Sequence, residues 1–155
     1  MVTDYFGTLL QELGKILEIP DLHSDRNNSC QITLKNGLVF QLEFDRSGAF
    51  IVLGADLGVV PPGKYRENLF REALKANDMP YPTHGILAYS KKSDRLVIFE
   101  KLRSHELTGE AIAAEIIPFS EKAIIWKEAL ERSDIPIINQ ALNFQRSSGM
   151  FGLRP

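Results

Sequence analysis

The side chains able to do acid–base, nucleophilic or metal chemistry are few and scattered. His23, His84 and His105 stand far apart, with no His-x-x-x-His or Cys-x-x-Cys spacing beside them. A zinc site needs three or four such ligands brought together, usually at close spacing, so no metal ligand is assigned and surface histidines are the plainer reading. Cys30 is the single cysteine and falls on the apolar side of an alternating stretch. A reactive thiol needs an accessible, electropositive setting, whereas a free cysteine on an apolar face is usually a small buried hydrophobe. Glu43, Asp45, Asp56 and Glu67 are the right type for paired carboxylates in general acid–base work. Nothing in their spacing pairs them, and solvated surface acids account for them equally well. Gly54 and Gly58, ahead of Pro61-Pro62-Gly63, raise the question of a phosphate loop. No Gly-Lys-Ser/Thr or Gly-x-Gly-x-x-Gly is present, so a connecting loop is expected. No catalytic residue and no cofactor are assigned, and the chain is read as a non-enzyme.

What must position any site is a chain of 155 residues, the size of one domain. Hydrophobic residues at 44% and charged residues at 25% suit an ordinary globular fold. Eighteen Lys and Arg against twenty Asp and Glu leave a net charge of −2, without a basic block to attract nucleic acid. No apolar run approaches the ~20 residues of a membrane span, so no membrane insertion is expected. Met1-Val2-Thr3-Asp4-Tyr5 lacks the basic and apolar regions of a secretory signal, so Asn27-Asn28-Ser29 is read as a chance sequon. A lone cysteine excludes an internal disulfide and fits a reducing compartment.

Periodicity then orders the elements. Phe6, Leu9, Leu10, Leu13, Ile16 and Leu17 mark one stripe of a first helix, with Thr3 or Asp4 as cap and Pro20 beyond its end. Gly7 and Gly14 each cost about 1 kcal/mol of helix propensity, which close packing must offset. After a polar loop the period becomes two: Cys30, Ile32 and Leu34 alternate with polar residues. Asn36-Gly37 predicts a type I′ turn, and Leu38, Phe40, Leu42 and Phe44 line the return strand. A third strand, from Ala49 to about Ala55, is apolar on both faces. A second helix carries Tyr65, Leu69, Phe70, Ala73 and Leu74 on one side, with Asn77 as an αL cap. A hairpin follows over Gly85 to Ser90 and Arg95 to Leu102. A long helix from about Thr108 to Arg132 has Thr108 as N-cap and is kinked or split by Pro118. The fold class is α+β, in the order α-β-β-β-α-β-β-α, with one twisted antiparallel sheet and flanking helices. Residues 1–132 form the domain and 133–155 a tail, partly ordered to Phe144. Two strands apolar on both faces leave two outcomes: helices cover both sides of the sheet, or one side meets a partner.

Several segments together resemble class I type III secretion chaperones of the Tir-chaperone (CesT-like) family. They are Leu10, Leu13-Gly14 and Leu17 before Ile19-Pro20; Asn28-Ser29-Cys30-Gln31-Ile32 leading to Leu42-Glu43-Phe44; Gly48 to Leu53, then Leu57-Gly58-Val59-Val60-Pro61; Leu69-Phe70, Ala73-Leu74 and Ala76-Asn77; Gly85 to Tyr89 with Leu96 to Phe99; and Phe119, Ala123 and Trp126-Lys127. The resemblance spans roughly residues 6–132. Pro118, a milder charge and the 133–155 tail depart from it.

The resemblance implies a chaperone of the bacterial cytoplasm that binds the N-terminal segment of one or more secreted effectors and keeps it extended and secretion-competent. It implies a homodimer, or a heterodimer with a related chaperone, and contact with the secretion ATPase or sorting components. Carried over to this chain, the dimer contact falls on Leu69, Phe70, Leu87 and Tyr89. Effector binding falls on Leu10, Leu13, Phe40, Leu42 and Phe50. Two rival readings are an interaction module for a folded partner and a small α+β ligand-binding domain.

Overall fold

The computed structural model describes residues 2–137. The reading of 138–155 as tail lies outside the described residues. Helix α1 (Val2–Leu17) precedes strands β1 (Ser29–Thr33), β2 (Val39–Phe44) and β3 (Phe50–Val59). Helix α2 (Lys64–Asn77) leads to β4 (Ile86–Ser90) and β5 (Arg95–Arg103), and α3 (Gly109–Glu131) follows. The order is the expected α-β-β-β-α-β-β-α. The strands form one antiparallel sheet in the order β1-β2-β3-β5-β4, so β1 and β4 are its two edges.

The alternation of β1 and β2 buries Cys30, Ile32, Phe40 and Leu42 on one side of the sheet, beside Ile51 and Leu53 of β3 and Ile98 of β5. That side is covered by α3, which packs on β3 and β5, and by α1, which packs on α3. The Phe40 ring meets Phe119 of α3 edge-on, with centroids 6.1 Å apart, and Phe6 of α1 stacks on Phe44 at 5.5 Å. Offset and edge contacts of this kind favour the ring quadrupoles as well as burying area. Helix α2 stands apart from this layer and touches the fold mainly along β4.

Four local readings change. The 34–38 turn is not type I′: of its central residues only Gly37 has positive φ, at 91°. Asn36 instead uses its side chain, whose Oδ1 accepts the Leu38 N–H at 3.0 Å. Gly14 is required by the turn that ends α1, since a Cβ there would lie 2.8 Å from the Ile19 carbonyl oxygen. Strand β3 continues to Val59 through an irregularity between Asp56 and Gly58. Helix α3 runs unbroken past Pro118, because burial of Ile112, Ile116, Phe119, Ala123 and Trp126 outweighs the main-chain bond that proline removes. Its start is as expected: Thr108 Oγ1 accepts the Ala111 N–H at 3.1 Å.

Candidate functional site

The residues with chemical potential are engaged locally. Asp45 accepts from Ser47 in its own turn, which holds its carboxyl below the usual range. Asp56 pairs with Arg95 at 2.6 Å, and Glu67 faces Lys64 at 4.0 Å. Cys30 is buried, and burial pushes its thiol pKa up, away from a nucleophilic thiolate. His84 meets Glu115 at 3.2 Å. Nearby, Lys122 Nζ donates to the carbonyls of Thr83 at 2.9 Å and Gly85 at 2.7 Å, clasping the loop before β4 to α3. Burial, then the charge of Glu115, raises the pKa of Glu100, and burial lowers that of Lys122. Among the described residues no group of three His, Cys, Asp or Glu is placed to hold a metal ion. None of the described helices is long and apolar enough to cross a membrane.

The surfaces are more informative. The sheet side opposite α1 and α3 carries Val39, Val52, Val97, Phe99 and Ile86, with Gln31 and Gln41 among them. Val39 is 42% exposed, and Val52, Val97, Phe99 and Ile86 are half-buried. Part of this side forms a 440 Å³ depression that includes Gln31, Val39, Gly54, Val97 and Phe99. Of the two outcomes left open for the doubly apolar strands, the helices do not cover both sides among the described residues.

At the β1 edge, Cys30 and Ile32 stand opposite Leu42 and Phe40, and the Asn28 carbonyl accepts from Phe44 N–H. By the alternation of an antiparallel pair, Ser29, Gln31 and Thr33 direct their main-chain groups outward. Asp25 takes those of Ser29: its carboxylate accepts the N–H at 3.0 Å and its N–H donates to the carbonyl at 2.8 Å. Gln31 and Thr33 have no main-chain partner on that side among the described residues. Only Cys30 Sγ approaches the Gln31 carbonyl, at 3.9 Å.

At the opposite edge, α2 and β4 frame a 190 Å³ groove that includes Phe70, Leu74, Asn77, Leu87 and Tyr89. The rings of Phe70 and Tyr89 lie 4.8 Å apart, and the Arg66 guanidinium sits 5.1 Å from the Tyr89 centroid. Tyr89 Oη donates to Asp94, a bond that raises the phenol pKa.

The residues singled out from sequence thus separate. Leu10, Leu13, Phe40 and Leu42, expected at the effector surface, are fully buried beneath α1, α3 and the sheet. A side chain in the core offers a partner no exposed area, and in this structure all four belong to the core cluster. Phe50 is half-buried, with Lys101 Nζ 4.2 Å from its ring centroid. Leu69 and Leu87 are buried, while Phe70 and Tyr89 reach the surface together. Other surface residues were not singled out, among them Leu74 and Val39. Leu74 is 68% exposed and lies on the expected α2 stripe, so the stripe was the signal. Val39 alternates with the residues that line the return strand, and no signal distinguished it.

A chain in the crystal structure of the Yersinia pestis type III secretion chaperone SycH with a stable fragment of YscM2 superposes with a TM-score of 0.64 and 16% identity. The match covers 78% of this chain and 98% of that one. A chain of the ExoU–SpcU heterodimer from the type III secretion system of Pseudomonas aeruginosa gives 0.62 and 19%, covering 81% and 98%. A chain of the Pseudomonas aeruginosa ExoT–SpcS complex gives 0.58 and 12%, covering 77% and 94%. At these identities the likeness is one of fold. No curated protein sequence is significantly similar to this chain. A family model extends the agreement to sequence, matching residues 8–127, and on that match the chain belongs to the Tir chaperone protein (CesT) family.

Proposed function

We propose that this chain is a non-enzymatic type III secretion chaperone of the bacterial cytoplasm. It binds the N-terminal segment of one or more secreted effectors and keeps that segment extended and secretion-competent. It works as a dimer of identical chains or with a related chaperone, and hands its cargo to the secretion ATPase or sorting components. The observation that carries this reading is the uncovered apolar side of the sheet, running beside the open β1 edge. One stretch of an extended segment pairs its main chain with Gln31 and Thr33, and its continuation crosses the uncovered side of the sheet over Val39, Val52, Val97, Phe99 and Phe50. Ordering an unfolded segment costs about 1–2 kcal/mol per residue, so a large apolar area is needed, on the order of 1,000–3,000 Å². Binding holds the effector in its extended form by mass action and needs no nucleotide. The dimer contact uses Phe70, Leu74 and Tyr89, with Leu69 and Leu87 packed behind them.

Affinity purification from the source cell, followed by limited proteolysis, tests the reading. The expected product is a protected fragment from the N-terminal region of one larger protein. Gln31→Pro removes one outward N–H at an edge position that tolerates proline. It should weaken capture by about 2–13-fold, the worth of one hydrogen bond, while the circular dichroism spectrum stays native. Recovery of an intact folded protein with no protected fragment overturns the proposal in favour of an interaction module.

A further inference from the structure

The two edges of the sheet differ in what lies against them, and at the middle of β4 the difference comes from one side chain. Asn77, the last residue of α2, turns its amide onto the outer edge of β4. Its Nδ2 donates to the Leu87 carbonyl at 2.8 Å, and its Oδ1 accepts the Leu87 N–H at 2.9 Å. That pair of bonds is what a neighbouring strand would make. Two residues earlier, just before β4 begins, the Gly85 carbonyl is taken by Lys122 Nζ at 2.7 Å. Beyond Leu87, the Tyr89 ring lies between Phe70 and Arg66 of α2.

We infer that Asn77 is a specificity-determining residue that closes the β4 edge to main-chain pairing at Leu87, its central outward position. Strand addition is thereby confined to β1, and any chain arriving at the α2–β4 groove is held by side chains alone. Edge strands present unpaired N–H and C=O groups that recruit other strands unless something covers them. A side-chain amide sets an NH2 donor beside a carbonyl acceptor, so it satisfies both groups of one residue at once. The αL cap expected of Asn77 is replaced by this role: the residue that follows α2, Asp78, has φ −88°.

The inference rests on the proposal that partners join this sheet by main-chain pairing, but its test uses no effector. The Leu87 amide is followed by hydrogen exchange in the full chain, and self-association by sedimentation over a range of concentrations. In Asn77→Ala the Leu87 amide should exchange at least about tenfold faster, the loss of one to two hydrogen bonds. The variant should also form assemblies larger than the wild-type species as concentration rises. A folded variant whose Leu87 amide stays as slow as in the wild type overturns the inference. So does one whose amide opens without new assembly. If Asn77→Ala does not fold, the wild type itself decides: Leu87 must exchange more slowly than Gln31 and Thr33 on β1, and equal rates overturn the inference. Failure to capture an effector would leave these outcomes untouched, so the two proposals fail separately.

Discussion

Strands β1 and β4 are both five residues long and both lie at an edge of the same sheet. Their outer main-chain groups meet different fates. Among the described residues only Ser29 of β1 is satisfied on its outer side, by Asp25 a few residues upstream, while Gln31 and Thr33 have no partner there. At β4 the outward groups of Leu87 meet Asn77 from α2, and the Gly85 carbonyl just before the strand meets Lys122 from α3. The lesson is that the strand does not decide whether its edge is sticky. The neighbour does, and a helix docked along the strand converts a template for pairing into a surface read by side chains. One chain can therefore offer two kinds of contact at opposite ends of one sheet.

The most severe way to break this comparison is to remove the core that both edges share. Leu10→Asp puts a carboxylate into a fully buried position of the apolar core. It should cost several kcal/mol and abolish cooperative unfolding in urea, taking both edges with it. A native circular dichroism spectrum with selective loss of capture would place Leu10 at the surface instead.

A smaller effect separates the edges. Leu74→Asp changes an exposed side chain on α2, so folding stability should move by no more than about 0.5 kcal/mol. Dimer dissociation measured by sedimentation should rise about tenfold or more, and Gln31 and Thr33 should exchange as before. An unchanged dimer would remove Leu74 and its groove from the contact.

The smallest effect sharpens the β4 side. Burial, then Glu115, raises the pKa of Glu100, which lies near the loop clasp. The folded chain therefore binds this proton more tightly than the unfolded chain. Stability contributed by the protonated group falls as pH rises from the ordinary carboxylate range through the raised folded value. Glu100→Gln cannot ionise, so its melting temperature should exceed that of the wild type at pH 8 and the gap should narrow toward pH 4. A constant gap would assign the difference to packing.

Much of the fold was legible because it rests on local patterns. The stripe of Phe6, Leu9, Leu10 and Leu13 announced α1, and Thr108 announced the start of α3. The twofold alternation through Cys30 and Leu42 announced the first hairpin. The turn at Asn36-Gly37 was located but misassigned in type, since a side-chain acceptor can replace a second positive φ. The candidate surface was less legible. Leu10, Leu13, Phe40 and Leu42 are apolar in the same pattern whether they face a partner or a helix of their own chain.

The sequence by itself determined the element order, the apolar supply, the scarcity of reactive groups and the family resemblance, because each is written in residue types at short spacing. Which apolar residues are left uncovered among the described residues, and which edge lacks a neighbour there, depends on the packing of distant segments. Burial is a property of what packs from elsewhere in the chain: α3 reaches over β3 and β5, and Asn77 meets Leu87 across the intervening loop. Spacing along the chain does not encode those meetings.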